Sequence, residues 1–422
     1  MTFIPGKYKL QFHETKNSAG ERYRLELWVN ATKNILGGWD WVDTDPLTSN
    51  INIWLRQWGK IRERFDSQDF TMAFGSMEIE LADLNLWFTE LFQDDRIIWD
   101  DTKVIMYKYS GTAWEKEFVG YVLDHSINTK LRKKSVFFDV GAMQHKINDS
   151  LTVVDGAVNN EPMGAGFSQS SLTDYFLVTD VIERLFKIIS PDMTVIINQD
   201  WIFRDGNIGW TYSKGISDLY FQTKYLTQVE TAGGWINNGM IVYGDVLKAL
   251  AFDLGCVAGM LNAETAMFQS IYAPTNQVTI AESQVLDFES GHDFIMELQH
   301  LKLSADSTLY AEVGSYSPLP DASLEKKIYS DVYRFYGTDD IWHNMNAIYH
   351  ADVGFYVKEV FQVAFWQKYF FRRKAQRRDF LTIKTSNIYI YNTIVYNGTN
   401  YRPYEIIKDY LKNKSEVKLL IM

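Results

Sequence analysis

The chain has 422 residues, 46% of them apolar and 15% aromatic, so it is long enough for several domains and apolar enough to bury large cores. Its net charge of −11 argues against a protein whose main task is to grip nucleic-acid phosphates, because that task needs a positive surface. The single cysteine, Cys256, excludes an intrachain disulfide and a cysteine-rich zinc site. The apolar neighbours of Cys256 predict that it is a small buried hydrophobic residue.

The first ten residues, MTFIPGKYKL, lack the apolar segment of a secretory signal. No window approaches the ~20 continuous apolar residues of a membrane span. We therefore expect a protein that folds in the cytoplasm of the cell that makes it. Its many aromatic residues favour strands and large contact surfaces.

Residues 1–155 are predicted to form an N-terminal β-rich domain. Asp83 is suited to cap a short helix that runs to Leu91. The strongest hairpin of this region has Gly111 in its turn and returns through Phe118-Val-Gly-Tyr-Val-Leu-Asp124. Alternating apolar residues predict strands here over residues 7–30 (a hairpin), 71–81, 99–124 (the hairpin just described) and 135–140.

Residues 156–285 are predicted to form a middle α+β domain, which follows a Gly-, Asn- and Ser-rich linker over 151–172. The segments Thr179–Phe186 and Gly244–Ala251 share the pattern x-D-V-[IL]-x-x-L, which either an internal duplication or chance explains. The predicted elements are helices over 174–189 and 245–254, strands over 193–197 and 267–273, and a loop over 202–240.

Residues 286–422 are predicted to form a second β-rich domain. The clearest signal is the Asn397-Gly398 turn between two strands, because this dipeptide favours a tight hairpin. Residues 357–371 fit a helix or a strand. The predicted strands cover residues 294–303, 308–313, 326–336, 388–396, 401–407 and 416–422.

No pattern predicts a catalytic, cofactor-binding or metal site. His343 and His350 lack an HExxH motif, and His292 and His300 on one strand would lie roughly 26 Å apart. The segment Met163–Gly166 has no preceding strand and is a weak candidate for a phosphate cradle. Asp40, Asp43 and Asp45 are interpreted as a polar turn, since their spacing fits no calcium loop and Pro46 follows. The acidic pairs are candidates for acid–base chemistry only as any acids are, and the turn signals beside each pair favour solvated loops. These pairs are Asp94-Asp95, Asp100-Asp101 and Asp339-Asp340.

The run Lys368–Arg378 is basic and aromatic in an otherwise acidic chain. It fits a nucleic-acid contact, a patch that docks onto an acidic neighbour or another copy, or a merely solvated face. The Trp-rich segment containing Trp39 and Trp41 suggests a carbohydrate- or receptor-binding module instead.

The order of these elements resembles that of the tail hub, or baseplate hub, proteins of tailed bacteriophages and related contractile injection systems. Pattern-level matches over about half of the chain carry the resemblance. They are Tyr8–Phe12 with Tyr23–Leu27, Ser76–Leu81, Trp87–Asp95, Lys103–Lys108, Phe118–Asp124 and Gly244–Gly255.

The resemblance implies a β-rich α+β fold with two β-barrel-type hub domains and a helix-containing middle region. It implies a non-enzymatic virion protein at the phage tail tip, a homotrimer whose six barrels form a ring around a lumen for transient DNA passage. Expected partners are the tail tube or distal tail ring, tail tip, spike or fibre proteins, and a tape measure protein. No cofactor is implied.

Two other hypotheses remain open at this point. One is the carbohydrate- or receptor-binding tail module suggested by the tryptophans. The other is a glycan-cleaving enzyme among the many carboxylates, although fused lytic domains of hub proteins come as additional length.

Overall fold

In the computed structural model, the described part of the chain is mostly β-sheet, with few helical residues. The structure describes residues 6–11, 14–31, 47–49, 54–65, 72–83, 98–123, 126–142, 145, 151–153, 175–187, 192–197, 219–222, 228–231, 234–237, 240–242, 244, 247–248, 250–251, 254, 256–270, 276–292, 301–305, 308–313, 348–350 and 377–421.

The strands of the first third of the chain are β1 (Gly6–Gln11), β2 (Thr15–Lys16), β3 (Arg22–Ala31), β4 (Leu47–Ser49), β5 (Trp54–Phe65), β6 (Ala73–Ala82), β7 (Ile98–Tyr109), β8 (Trp114–Val122), β9 (Asn128–Lys130) and β10 (Ser135–Ala142). A single 3-10 turn, Leu131–Lys133, separates the last two of them.

The middle of the chain contains helix α1 (Val178–Lys187) and a 3-10 turn, Glu282–Gln284. Residues 244, 247, 248, 250 and 251 are also helical. The strands are β11 (Leu151–Val153), β12 (Tyr175–Leu177), β13 (Thr194–Ile197), β14 (Leu219–Gln222), β15 (Gln228–Thr231), β16 (Gly234–Asn237), β17 (Met240–Val242), β18 (Cys256–Met260), β19 (Thr265–Ser270) and β20 (Gln277–Thr279).

The remaining strands are β21 (Val285–His292), β22 (Leu301–Ala305), β23 (Thr308–Val313), β24 (Ile348–His350), β25 (Arg377–Ile383), β26 (Thr393–Tyr396), β27 (Thr399–Asp409) and β28 (Lys414–Ile421).

One sheet of sixteen strands contains the strands from both ends of the chain. Its order is β21, β25, β28, β27, β5, β6, β10, β8, β7, β3, β1, β4, with β2, β9, β20 and β26 attached beside it. The two halves meet where β5 pairs antiparallel with β27, from Ile61 opposite Lys408 to Arg64 opposite Glu405. This pairing joins residues more than three hundred positions apart in the sequence, so it is a tertiary feature.

The N-terminal half of the sheet surrounds its own apolar core. Side chains from β3, β5, β6, β7, β8 and β10 alternate, and one face of each strand is buried in a single cluster, which we call the first core. Because strands far apart in the sheet order share this core, the sheet is curled as in a half-barrel. The first core comprises Tyr23, Leu25, Leu27, Val29, Ile61, Met77, Ile79, Leu81, Val104, Met106, Phe118, Val122, Val136, Phe138, Val140, Ala142 and Tyr410.

The C-terminal half of the sheet covers a separate cluster, which we call the second core. Strands β18 and β19 of the middle region contribute Val257 and Met267 to it. Its other members are Phe65, Ala73, Ile280, Leu381, Ile383, Ile388, Ile390, Tyr391, Ile394, Tyr396, Tyr401, Ile406, Val417, Leu419 and Leu420. The two cores therefore lie side by side beneath one continuous sheet.

The predicted hairpins are confirmed. Strand β1 pairs with β3, and β7 pairs with β8 around a turn in which the Ser110 amide donates to the Ala113 carbonyl at 2.9 Å. At the predicted Asn397-Gly398 turn both residues have positive φ, 47° and 71°, the backbone that this tight turn requires. The predicted strands over 71–81, 135–140, 193–197, 308–313 and 416–422 correspond to β6, β10, β13, β23 and β28.

Four predictions need correction. The loop expected over 202–240 contains β14, β15 and β16, because these short segments have pairing partners: β14 pairs with β12 and β24, and β15 pairs with β16. The helix expected from 174 starts at Val178, since Tyr175–Leu177 pairs with β14 instead. The strand expected over 388–396 is limited to β26. The pair Asp100-Asp101 lies within β7 rather than in a loop.

Other predictions fall wholly or mainly outside the described residues. Three predictions fall there in part: residues 84–91 of the helix from Asp83 to Leu91, residues 154–172 of the linker, and residues 294–300 of the strand over 294–303. Two fall there entirely: the strand over 326–336 and the segment 357–371, which fits a helix or a strand.

Candidate functional site

The described residues contain no group of three or more His, Cys, Asp or Glu side chains placed to hold a metal ion. His292 ends β21 and His350 ends β24, in different sheets. Cys256 is fully buried, as predicted, with its thiol donating to the Leu254 carbonyl at 3.3 Å. Within the described part of the chain, no helix has the length and apolar character needed to span a bilayer.

The remaining candidates from the sequence lie outside the described residues, except that Arg377 and Arg378 of the basic run begin β25. Those outside are Trp39, Trp41, Asp40, Asp43, Asp45, Asp94, Asp95, Asp339, Asp340, His300, His343, the segment Met163–Gly166 and residues 368–376.

Polar side chains meet between the two cores, beside the pairing of β5 with β27. The buried Lys408 ammonium lies 2.6 Å from the Glu63 carboxylate and 4.1 Å from the ring centroid of Tyr389. Only 1% of the Lys408 side chain is exposed, against 20% for Glu63. We call this group the seam cluster, and its members are Glu63, Glu117, Tyr389, Lys408 and Tyr410.

Strand periodicity explains why charged residues occur at this position. Inward-facing residues of β5 alternate, so Ile61 packs in the first core, Phe65 packs in the second, and Glu63 lies between them. On β27, Ile406 belongs to the second core and the inward position two residues later is Lys408. The two charges therefore face each other at the boundary between the cores, where each neutralises the other.

A β-bulge places the third charged member of the seam cluster. The ladder between β7 and β8 shifts by one residue after Met106, and the additional residue on β8 is Glu117. Its carboxylate accepts a hydrogen bond of 2.9 Å from the hydroxyl of Tyr410. Burial, and then Glu117, raise the pKa of Tyr410 well above its ordinary value. Burial also raises the pKa of Tyr389, with Glu117 and Glu63 adding to the effect.

A cavity of about 40 Å³ borders the seam cluster, with room for one or two water molecules. Residues 260–263, in the turn between β18 and β19, form part of its wall. An ion pair between Lys116 and Glu264 links this turn to β8. The middle region therefore covers the boundary between the two cores. A space of this volume suits ordered water rather than a substrate.

The outer face of β1, β3, β7 and β8 interleaves cations with aromatic rings. The Arg24 guanidinium lies 4.9 Å from the ring centroid of Tyr107 and 4.7 Å from that of Trp114. The Arg22 guanidinium lies 4.5 Å from the ring of Tyr109. We call this surface the basic–aromatic face, and its members are Lys9, Arg22, Arg24, Trp28, Lys103, Tyr107, Tyr109, Trp114 and Lys116.

Glu26 anchors the basic–aromatic face from within. Its fully buried carboxylate accepts hydrogen bonds from Trp28 Nε1 at 3.1 Å and the Tyr107 hydroxyl at 3.2 Å, and it pairs with Lys9 and Arg24 at 3.2 and 3.1 Å. Burial, and then Glu26, raise the pKa of Tyr107 to about 12. These contacts connect β1, β3 and β7, so the cations are held in fixed positions.

The opposite end of the same outer surface carries acidic and exposed apolar residues. Leu286 on β21 and Phe380 on β25 are 50% and 38% exposed. Asp287 and Glu289 on β21 line an open cleft of about 190 Å³ together with Phe380. We call these four residues the acidic edge.

The neighbouring strands at this end carry balanced charges. Glu405 on β27 pairs with Lys418 at 2.6 Å and with Arg62. Burial opposes ionisation of Glu405, but these two cations hold its pKa below its usual value. Glu416 pairs with Lys414 at 3.0 Å, and Lys414 holds the pKa of Glu416 below its usual value. Asp287 and Glu289 on β21 form no ion pair with another described side chain, so the unpaired acidic groups among the described residues of this end lie toward β21.

Comparisons with known proteins give structural similarity without sequence similarity. No protein-family model matches the chain, and no curated protein matches it by sequence. The solved structures to which it is similar include tail proteins, two of them from prophages.

One is the 43 kDa tail protein of prophage MuSo2 from Shewanella oneidensis, with 13% identity, a TM-score of 0.41, and coverage of 87% of this chain and 95% of that chain. A tail protein from Neisseria meningitidis has 7% identity, a TM-score of 0.41 and the same coverage, 87% and 95%. A prophage tail protein from Listeria monocytogenes has 10% identity, a TM-score of 0.37, and coverage of 87% and 90%.

Proposed function

We propose that this chain is a structural, non-enzymatic hub protein of a phage tail or a related particle. Three copies form a ring between the tail tube and the tail tip, and DNA passes transiently through its lumen. The tail tube or distal tail ring, a tape measure protein, and tip, spike or fibre proteins are its partners in the virion. The division of the chain at about residues 155 and 285 belongs to the same proposal.

The observation that supports this function is the pair of apolar cores beneath one sheet. A ring of six barrels built from three chains needs two barrels per chain in a fixed relation. Here the β5–β27 pairing and the seam cluster connect the two cores rigidly, with Lys408 buried between them.

The mass of the purified protein in solution tests the proposal. Light scattering at micromolar concentration should give three times the 49.0 kDa of one chain, and electron microscopy of the same sample should show rings with a central hole. A stable monomer that also fails to join particles would refute the hub function.

A further inference from the structure

We propose that the basic–aromatic face of one copy binds the acidic edge of a second copy of this chain. This inference rests on the ring in the proposed function and deepens it by identifying the two surfaces that meet. Each copy then uses one end of its sheet to bind the next copy.

The basic–aromatic face has a charge opposite to that of the chain as a whole. Five cations lie on it, and the ion pairs that they make with described residues involve three carboxylates, Glu14, Glu26 and Glu264. The molecule carries a net charge of −11, so another copy is a ready source of acidic surface. Arg22 and Lys116 are each 36% exposed, so both are accessible to a partner.

The aromatic rings of this face suit a protein partner. Tyr109 and Trp114 lie 5.2 Å apart between ring centroids and flank the Arg22 guanidinium. Rigid rings stacked with guanidinium groups are typical of the residues that dominate protein interfaces.

The acidic edge has the complementary features. Of the three large apolar side chains that are exposed in the described residues, two, Leu286 and Phe380, lie on β21 and β25. Asp287 and Glu289 flank them, and both carboxylates are exposed. Strand β21 ends the sheet, and no described strand pairs with its outer side. An exposed strand edge with apolar side chains favours association unless a partner covers it.

The positions of the two surfaces predict a closed assembly. They lie at opposite ends of one sheet, on the face turned away from both cores. Contact between two different surfaces of identical chains is head-to-tail, and such contacts generate rings when the rotation closes. The same contact repeated around a ring leaves neither surface exposed.

Charge reversal on each surface tests this interface. The variants Asp287→Lys with Glu289→Lys, and Arg22→Glu with Lys116→Glu, should each bring like charges together and weaken self-association at least about tenfold. A chain that carries all four changes has complementary surfaces again and should regain the wild-type mass. The measurement is sedimentation equilibrium over a range of protein concentrations.

Two further variants separate interface effects from folding effects. The pair Glu78→Lys with Asp192→Lys makes the same change in net charge as Asp287→Lys with Glu289→Lys, but at exposed sites elsewhere, and it should leave the mass unchanged. The milder pair Arg22→Gln with Lys116→Gln should weaken association less than the Glu variants, while thermal unfolding shows that the fold is retained.

The outcomes distinguish this inference from the proposed function. If the wild-type protein and both charge-reversal variants are all trimeric, the proposed interface is wrong and the proposed ring remains. A monomeric wild type would overturn the interface, and a monomer that also fails to join particles would overturn the hub function as well. Heparin binding that is lost in Arg22→Glu with Lys116→Glu, with an unchanged mass, would instead assign the basic–aromatic face to a polyanion and overturn the proposal.

Discussion

Gly120 lies where strand β10 approaches β8 too closely for a side chain. A Cβ atom at this position would lie 2.8 Å from Val140 Cγ1, 2.9 Å from Phe118 Cε1, and closer still to the carbonyl oxygen of Gly141. A side-chain atom can shift, but the carbonyl oxygen belongs to the backbone of the paired strand. The glycine that the sequence places in the middle of this strand therefore has a packing role.

Replacing Gly120 by Val should lower the free energy of unfolding by at least about 2 kcal/mol, since β10 must move away to admit the side chain. Urea unfolding followed by fluorescence measures this loss. The matched control is Glu115→Val at an exposed position of the same strand, where a change within about 0.5 kcal/mol is expected. Wild-type stability and assembly in the Gly120 variant would refute the packing role.

At the scale of elements, the pairing of β5 with β27 determines how the two halves of the molecule are joined. Four residue pairs form this ladder, and on its inner side Lys408 and Glu63 form a buried ion pair. Burying a charge is unfavourable unless a partner compensates it, so each residue of the pair depends on the other. Lys408 is more deeply buried than Glu63, so the Lys408 charge depends on its partner more strongly than the Glu63 charge does.

Removal of the carboxylate should therefore cost more than removal of the ammonium. Glu63→Gln leaves the almost fully buried Lys408 charge without its partner and should destabilise the protein by about 3–5 kcal/mol. Lys408→Met leaves the more exposed Glu63 carboxylate and should cost less. The double variant should lose less than the sum of the two, with a coupling of roughly 1–3 kcal/mol.

Urea unfolding of the four proteins measures this cycle. Additive losses would show that the ion pair contributes nothing to the joint between the halves. A matched control is Lys187→Met with Glu183→Gln, a pair on α1 of which both side chains are exposed, and for which a coupling below about 1 kcal/mol is expected.

The elements that sequence predicted well are those whose signals are local. The Asn397-Gly398 turn and the hairpin containing Gly111 require a particular backbone at one or two residues, and that requirement is visible in the residue type. The segments β14 to β16 were missed because strands of four residues carry too few alternations to stand out from a loop. Their pairing partners, rather than their own composition, make them strands.

The candidate site was less predictable than the strands. Glu117 and Tyr410 are 293 residues apart in the chain, and a register shift in a ladder brings the carboxylate to the hydroxyl. No spacing rule predicts a bulge of this kind from one sequence. The charged residues Glu63 and Lys408 would have been visible as interruptions of apolar alternation on β5 and β27, although nothing local shows that they pair.

At the scale of the whole molecule, both cores contain tyrosines whose phenol groups are buried. Burial raises the pKa of Tyr391 in the second core and of Tyr23 in the first, and hydrogen bonding to Glu21 adds to the effect at Tyr23. Tyr410 behaves in the same way. In the unfolded chain these groups ionise at their ordinary pKa of about 10. At a pH between the pKa of a tyrosine in the unfolded chain and its raised pKa in the folded protein, the folded protein holds more protons than the unfolded chain.

Stability should therefore fall as the pH rises above about 10. The stabilisation from these raised pKa values is fully present below the unfolded pKa and is lost as the pH rises toward the folded pKa. Each fully buried tyrosine, such as Tyr391 or Tyr410, should contribute a slope of about 1.4 kcal/mol per pH unit. Urea unfolding at several pH values between about 9 and 11 measures the slope.

The variant Tyr410→Phe should reduce this slope by about 1.4 kcal/mol per pH unit, the contribution of one proton, because one buried phenol is removed. As a control, substitution of the exposed Lys412 should leave the contribution of the buried tyrosines to the slope unchanged. If the buried tyrosines ionise near pH 10 in the folded protein, as followed by phenolate absorbance, the expected dependence on burial is wrong.

Sequence by itself determined the β-rich character of the chain, its principal hairpins, the buried single cysteine and the exclusion of a cysteine-rich metal site. These follow from composition, period-two alternation and turn residues, which act over a few neighbouring positions. The resemblance in element order added the hub hypothesis.

Tertiary structure alone decided that both ends of the chain share one sheet, that two cores lie beneath it, and that a buried ion pair joins them. It also placed the basic–aromatic face and the acidic edge at opposite ends of that sheet. The physical reason is that pairing between distant strands depends on which surfaces bury one another in the folded chain. Local periodicity shows that a strand has an inner face, and only the assembled fold shows what that face meets.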